Sequence, residues 1–133
     1  HITDKFKEQL IKIPYSMIPK MIEAVHFNDE RPENKNISLT NKKDNLIKIF
    51  KDNKWVYQGK EETINSLVDG KYLILDSFYE TKFENSENEI EETIEKDTTK
   101  KDYTKFREFF EKGDKELVEK LKRECELVLL NNR

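Results

Sequence analysis

Apolar residues recur every three or four positions over the first 26 residues and predict two short amphipathic helices. The first helix is expected to end before Pro14, because the residue that precedes a proline disfavours helical backbone angles. The second helix runs to His26, with Ser16 as its N-cap and Pro19 in its first turn, where a missing N–H is tolerated. The apolar positions are Ile2, Phe6, Leu10 and Ile13 in the first helix, and Met17, Ile18, Met21, Ile22 and Val25 in the second.

The pattern changes from helical to alternating after a polar stretch. Residues 28–36 contain turn-forming side chains and no large apolar group, so they predict a loop. The expected strands lie at residues 37–40, 46–50 and 55–57. The dipeptide Asp52-Asn53 predicts a hairpin turn between the last two strands, and the three strands together form an antiparallel meander.

Helical spacing returns after the predicted sheet. A helix is expected to begin at Glu61 or Glu62 and to end at Gly70, because glycine commonly follows the last helical turn. Apolar residues continue at helical spacing from Tyr72 to Phe83, so a further helical stretch follows the glycine.

The last part of the chain is strongly charged. Residues 83–101 contain few large apolar side chains, so they form either the continuation of a long exposed helix or a charged linker. Gly113 is expected to break the helical pattern, and Asp114 to cap a final helix. Apolar residues recur at helical spacing in two groups, first Tyr103, Phe106, Phe109 and Phe110, and then Leu117, Val118, Leu121, Cys125, Val128 and Leu129.

These elements predict an α+β fold, in which a small antiparallel β-meander packs with helices and is followed by a charged helical C-terminal extension. The expected units are a compact α+β domain at residues 1–82, an acidic helix or linker at 83–101, and a helical segment at 102–133. The apolar stripe of the final helix cannot bury itself, so it packs back on the domain or pairs with another chain. Leu117, Leu121 and Val128 are therefore the candidate oligomer interface.

The composition agrees with one modest globular domain. Charged residues make up 40% of the 133 positions and hydrophobic residues 35%, yet eight Phe, five Tyr and one Trp exceed what a disordered chain carries. No run of about 18 apolar residues occurs, so no membrane-spanning helix and no membrane partner are expected. The single cysteine cannot form an internal disulfide, which predicts a reducing, intracellular compartment.

The charge is divided unevenly along the chain. Residues 1–60 carry a net charge of +4, residues 61–133 carry −7, and residues 84–97 hold seven carboxylates and one lysine. The acidic segment repels polyanions, so any contact with nucleic acid is expected in the first half.

Lysines and two aromatic residues cluster around the predicted hairpin. The candidate nucleic-acid contacts are Lys42, Lys43, Lys48, Lys51, Lys54, Trp55 and Tyr57. A basic surface with aromatic side chains is typical of nucleic-acid binding. The alternative is a solvated hairpin whose lysines protect a sheet edge. Trp55 and Tyr57 share one face of their strand, and packing in the core is the default expectation for such a pair.

A second polar group lies between the second helix and the first strand. It consists of His26, Asn28, Glu33, Asn34 and Asn36. His26 and Glu33 can hold a divalent metal or activate water. The favoured interpretation is structural, because Asn side chains bond to turn backbone and a terminal histidine satisfies the last carbonyls of its helix.

No set of residues for other chemistry is evident. A metal site needs three or four ligands, and the only histidine besides His26 is His1, so neither a metal nor a cofactor is expected. Cys125 lies on an apolar helical face, which predicts a buried structural thiol. The three glycines are isolated, which excludes a glycine-rich phosphate loop. Because no metal site, reactive thiol or phosphate loop is expected, no catalytic residue is assigned.

Several short runs resemble a domain of giant DNA viruses. They are Ile-Pro-Tyr-Ser-Met-Ile-Pro-Lys at residues 13–20, Val-His-Phe-Asn at 25–28, Pro-Glu-Asn-Lys-Asn-Ile at 32–37, the strand at 46–50, Lys-Trp at 54–55 and the helix from Glu61. Similar domains occur towards the C-terminus of proteins from mimivirus-like viruses, often downstream of a small Cys/His zinc-finger segment. The resemblance covers about residues 10–80 and implies a viral protein of the host cytoplasm, the viral factory or the virion. No residues here match the zinc finger, so DNA association is implied only by that neighbouring segment.

These observations favour a non-catalytic interaction or assembly domain that binds another protein or a second copy of itself. The first alternative is an accessory domain that binds nucleic acid through the lysine-rich hairpin. The second alternative is a metal-dependent hydrolase or nuclease with His26 and Glu33 at its centre.

Overall fold

A three-stranded antiparallel sheet lies between two helical parts of the chain. The computed structural model describes residues 2–84 and 94–133. The elements are α1 (Asp4–Ile11), α2 (Pro14–His26), β1 (Ile37–Ser38), β2 (Leu46–Lys51), β3 (Lys54–Gly59), α3 (Lys60–Tyr79), α4 (Ile94–Glu111) and α5 (Lys115–Asn131). A 3₁₀ turn at Pro32–Asn34 precedes the sheet, and a π-helical turn at Glu80–Glu84 follows α3. The predicted α+β class with a helical C-terminal extension is confirmed.

The sheet has the order β1-β2-β3, and its hairpin register decides which side chains share a face. Phe50 pairs with Trp55, and Lys48 pairs with Tyr57. The turn occurs at the predicted Asp52-Asn53, where φ is 54° and 64°. Positive φ at both central residues matches the twist of a tight two-residue hairpin, and aspartate and asparagine adopt it more readily than most residues.

The helices from both ends of the sequence share one core. Helix α5 packs against α2 and α3, and it also reaches β1. The fully buried residues include Leu10, Ile11, Met17, Ile18, Ile22, Leu39, Ile47, Leu75, Tyr103, Phe106, Leu121, Cys125 and Leu129. The apolar stripe of α5 is therefore covered by its own chain.

Aromatic rings join α4 to α3. The rings of Tyr79 and Tyr103 stack with centroids 3.9 Å apart, and Tyr72 stacks on Phe110 at 4.1 Å. The hydroxyl of Tyr103 donates a 2.9 Å hydrogen bond to the carboxylate of Asp76. Burial and the charge of Asp76 raise the pKa of Tyr103, so this hydroxyl stays protonated and acts as a donor. Residues 85–93 of the predicted segment 83–101, which include Ile90, lie outside the described residues.

The start of α2 differs from the prediction. The helix begins at Pro14 rather than after Ser16, and Ile13 occupies the N-cap without a side-chain hydrogen bond. Pro14 is favoured at the first helical position because that residue needs no N–H partner. Pro19 therefore lies inside the helix, where it is buried, rather than in its first turn. Core packing of the α2 face outweighs the hydrogen bond that this proline cannot make.

Helix α3 continues through Gly70, so the expectation that this glycine ends the helix is wrong. The buried stripe of α3 runs on both sides of it, through Ile64, Val68, Tyr72, Leu75 and Tyr79. Glycine costs a helix interior about 1 kcal/mol relative to alanine, which is less than the burial of even one of these side chains contributes. Tertiary packing therefore overrides the local preference.

Replacing Gly70 with alanine is expected to raise the free energy of unfolding by about 0.5–1 kcal/mol. A Cβ at Gly70 meets no heavy atom within 4 Å, so the gain in helix propensity carries no steric cost. Urea unfolding followed by circular dichroism measures the change. Gly113→Ala is the matched control and is expected to destabilise the protein, because Gly113 has a φ of +73°. A loss of stability in Gly70→Ala would contradict this account of the helix.

Candidate functional sites

One face of the hairpin carries large apolar side chains that remain exposed to solvent. We call it the open face and define it by Leu46, Lys48, Phe50, Trp55 and Tyr57, which alternation and register place on one side of the sheet. The exposed fractions are 52% for Leu46, 43% for Phe50, 48% for Trp55 and 65% for Tyr57. The default expectation that Trp55 and Tyr57 pack in the core is wrong, because the helices cover the opposite side, where Ile47 is buried.

The side chains of the open face contact each other in two pairs. The rings of Phe50 and Trp55 meet edge to face, with centroids 5.4 Å apart and planes at 61°. The ammonium group of Lys48 lies 5.4 Å from the centroid of the Tyr57 ring, within the range of a cation–π interaction. These contacts leave much of the surface of the rings exposed.

The predicted lysines surround this face without all lying on it. Lys42 and Lys43 lie in the loop before β2, and Lys51 and Lys54 flank the hairpin turn on the side opposite Lys48. Among the described residues, none of these five lysines forms an ion pair. Residues 41–60 contain six lysines and two aspartates, a net charge of +4 in a chain whose total is −3.

His26 occupies the end of α2 and is held by the loop that follows. Its Nδ1 lies 3.0 Å from the backbone oxygen of Asn34 and 3.0 Å from Oδ1 of Asn36. Both partners are acceptors, so Nδ1 carries the proton and Nε2 accepts. The ammonium group of Lys71 in α3 lies 3.0 Å from Nε2 and donates to it. The imidazole therefore links the loop to α3 in its neutral form.

The other polar residues of the predicted group do not join His26 in a catalytic arrangement. Oδ1 of Asn28 accepts a hydrogen bond from the backbone N–H of Glu30 at 2.9 Å, as in an Asx turn. Glu33 is exposed, and its carboxylate lies 4.0 Å from the guanidinium of Arg31. Within residues 2–84 and 94–133, no three or more His, Cys, Asp or Glu side chains are grouped to hold a metal ion.

The His26 imidazole borders a cavity of about 300 Å³ between α3 and the inner side of the sheet. Asn36 and Lys71 line the same cavity, and Glu33 does not. Sequence reasoning missed Lys71, because the predicted helix ends at Gly70, one residue before it. The helical spacing of the α3 stripe, extended through the glycine, would have placed Lys71 beside the buried positions.

Burial changes the acid–base behaviour of this pair. Desolvation, followed by the positive charge of Lys71, lowers the pKa of His26, while the hydrogen bonds to Asn34 and Asn36 oppose the shift. Desolvation also lowers the pKa of Lys71. Both shifts have the sign expected for cations that are partly removed from water.

Acidification is expected to destabilise the protein through His26. The pKa of His26 in the unfolded chain is the ordinary 6.5 and the folded value is lower, so below about pH 6.5 the unfolded chain binds more protons. The stabilisation that comes from keeping His26 neutral is complete above pH 6.5 and is lost as the pH falls towards the pKa of His26 in the folded protein. Urea unfolding at about pH 7.5 and about pH 5 should show a larger loss for the wild type than for His26→Asn, whose side chain does not titrate. Equal losses in the two proteins would contradict this assignment.

Cys125 is buried in the α5 stripe, as predicted for a structural thiol. Burial is the main cause that raises its pKa to about 12, and the charge of Glu124 adds to the shift. The thiol is therefore protonated at neutral pH and is a poor nucleophile.

No protein-family model, curated protein or solved structure matches this chain. The giant-virus resemblance therefore remains a prediction that depends on the runs of residues quoted for it. In the part of the chain that the structure describes, no helix combines the length and apolar character needed to cross a membrane.

Proposed function

We propose that this protein is a non-catalytic domain that binds single-stranded nucleic acid on the open face of its sheet. The observation that carries the proposal is the exposure of Phe50, Trp55 and Tyr57 on one face of a segment with net charge +4. Aromatic side chains that remain exposed on a sheet provide stacking surfaces for bases, and nearby lysines attract the phosphates.

The spacing of the aromatic rings supports an extended single-stranded nucleic acid as the ligand. Trp55 and Tyr57 are two residues apart on β3, which separates their Cα atoms by about 6.7 Å. One base can therefore stack on each ring. A duplex hides the faces of its bases and offers only phosphates, sugars and base edges, on which an aromatic ring cannot stack.

The charge distribution favours this part of the molecule over the rest. Residues 61–133, which include α4, α5 and nearly all of α3, carry a net charge of −7 and repel a polyanion. The lysines before β2 and around the hairpin turn are not occupied by ion pairs among the described residues, so they are available for phosphates. A single-stranded nucleic acid is therefore directed to the hairpin.

Trp55 is the only tryptophan, so its fluorescence reports directly on the proposed site. Titration with an oligothymidine of about 12 nucleotides and with a duplex of equal length should quench the fluorescence only for the single strand, because only unpaired bases can stack. If all five lysines contact phosphates, a rise from about 50 to about 200 mM salt should weaken binding by up to about 100-fold. Absence of quenching by the single strand at about 50 mM salt would reject the proposal.

A protein partner or a second copy of this chain is the second candidate. Leu46 is exposed on the open face, and β3 is an edge strand of the sheet in the described part of the chain. Such a partner would use the hairpin rather than the predicted interface, since Leu117 and Leu121 are buried in their own chain and Val128 is half-buried. Sedimentation velocity of the wild type and Leu46→Lys tests this candidate, because a dimer formed on the open face should dissociate in the variant.

A further inference from the structure

Lys71 is a half-buried cation without a counter-charge. Its hydrogen bond is to the neutral imidazole of His26, and no carboxylate among the side chains that the structure describes lies within 4 Å of its ammonium group. Charged groups that leave water are ordinarily paired, because an unpaired charge loses hydration without compensation. The fold therefore maintains a positive charge at the wall of a cavity and provides no anion for it.

The cavity lining carries hydrogen-bond donors along its length, with Asn36 beside His26 and Gln58 beside Thr63, eight residues before Lys71 on α3. Oδ1 of Asn36 is occupied by His26, and Oε1 of Gln58 accepts from the hydroxyl of Thr63 at 3.2 Å. The amide nitrogens of Asn36 and Gln58 have no partner among the described residues, and both side chains line the cavity. The donors are therefore ready for an acceptor that the chain itself does not supply.

Carboxylate acceptors are scarce near Lys71. Glu62 is the one carboxylate in the cavity lining, and it is nine residues before Lys71 on α3. The rise of an α-helix separates the two positions by about 13 Å along the axis. Gly70 has no side chain and leaves the wall beside Lys71 open, while Ile37 and Leu67 provide an apolar surface.

We propose that this cavity binds a small oxyanion, such as a carboxylate or a phosphate monoester, with Lys71 as its counter-charge. The ammonium group has three N–H donors, so it binds the anion while it still donates to Nε2 of His26. His26 positions the ammonium group, because its own Nδ1 is anchored on the backbone oxygen of Asn34. The amide of Asn36 and the hydroxyl of Ser66, which is five residues before Lys71 on α3, supply further donors.

This site is separate from the open face. Gln58 pairs with Ile47 in the hairpin register, so both point to the inner side of the sheet, away from Trp55 and Tyr57. Occupation of the cavity therefore does not require nucleic acid, and the two proposals can fail independently.

NMR of the His26 imidazole tests the proposal with sodium phosphate and sodium acetate, each compared with sodium chloride at equal ionic strength. At least one of the two anions should cause saturable shifts of the His26 resonances, because the anion binds the ammonium group of Lys71, which donates to Nε2 of His26. Saturation by phosphate alone identifies a phosphate ligand, by acetate alone a carboxylate, and by both a general oxyanion site.

The Lys71→Met variant should weaken this binding by at least about tenfold, which corresponds to about 1.4 kcal/mol. Ser66→Ala gives a second test at an exposed position, with a smaller weakening expected. Lys105→Met is the matched control, because Lys105 is an exposed lysine of α4 outside the cavity. The proposal is rejected if the shifts fail to saturate with either anion, or if Lys71→Met binds as tightly as Lys105→Met.

Discussion

Replacing Phe106 with alanine is expected to lower the free energy of unfolding by about 3–5 kcal/mol. Phe106 is completely buried. The centroid of its ring lies 5.3 Å from that of Tyr15, in an edge-to-face contact, and 5.7 Å from that of Phe110. Truncation leaves a cavity beside Phe110, whose ring also stacks on Tyr72, so the surroundings close around it only in part. A loss of this size is a large fraction of the roughly 5–15 kcal/mol that stabilises a typical domain.

The matched control is Phe109→Ala on the same helix, where the side chain is 38% exposed. Its loss should stay below about 1 kcal/mol, since little buried surface is removed. Urea unfolding of both variants is followed by Trp55 fluorescence, which reports on the sheet, and by circular dichroism, which reports on the helices. In Phe106→Ala both transitions should shift together to lower urea.

The coincidence of the two transitions tests how the chain is divided. The predicted division separates a domain at residues 1–82 from a helical segment at 102–133. Side chains from both belong to one buried cluster, and the ammonium group of Lys60 forms a 3.0 Å ion pair with Glu126 of α5. A cluster that crosses the division should unfold as one unit. A shift of the helical transition without a shift of the Trp55 transition would show that the two parts unfold separately.

Features determined by neighbouring residues were predictable from the sequence. The strands, the turn at Asp52-Asn53 and the cap at Asp114 depend on local backbone preferences, and all three are present. At the last of these, a carboxylate oxygen of Asp114 accepts a hydrogen bond from the N–H of Leu117 at 3.0 Å, as an N-cap side chain does. Gly70 and Pro19 differ from their predicted roles because tertiary burial outweighs local preferences of about 1–3 kcal/mol.

The exposed side of the hairpin could not be deduced from alternation alone. In β2, Leu46 and Phe50 alternate with Ile47 and Ile49, so both faces carry large apolar residues. The period of two shows which residues share a face, but which face is covered depends on where the helices pack. The same limit applies to Lys71, whose proximity to His26 arises from the packing of α3 against α2 rather than from any local motif.

The double variant Trp55→Ala/Tyr57→Ala is expected to weaken binding of a single-stranded oligonucleotide by about 30-fold or more, because base stacking on an aromatic ring contributes about 1–3 kcal/mol and two rings are removed. Fluorescence anisotropy of a labelled oligonucleotide measures the change, since the variant lacks the tryptophan reporter. The exposure of both side chains means that the fold should survive, which circular dichroism verifies.

Two further variants separate stacking from charge. Phe109→Ala removes an exposed aromatic ring from the acidic part of the protein, so it should bind the oligonucleotide as the wild type does. Lys51→Gln/Lys54→Gln removes charge near the hairpin turn, and the slope of log affinity against log salt should become shallower by about 0.7 for each phosphate that is no longer neutralised. The double aromatic variant should keep the salt dependence of the wild type, because its lysines are intact. If that variant binds as tightly as the wild type, the lysines alone account for the affinity, and the stacking of bases on the open face is rejected.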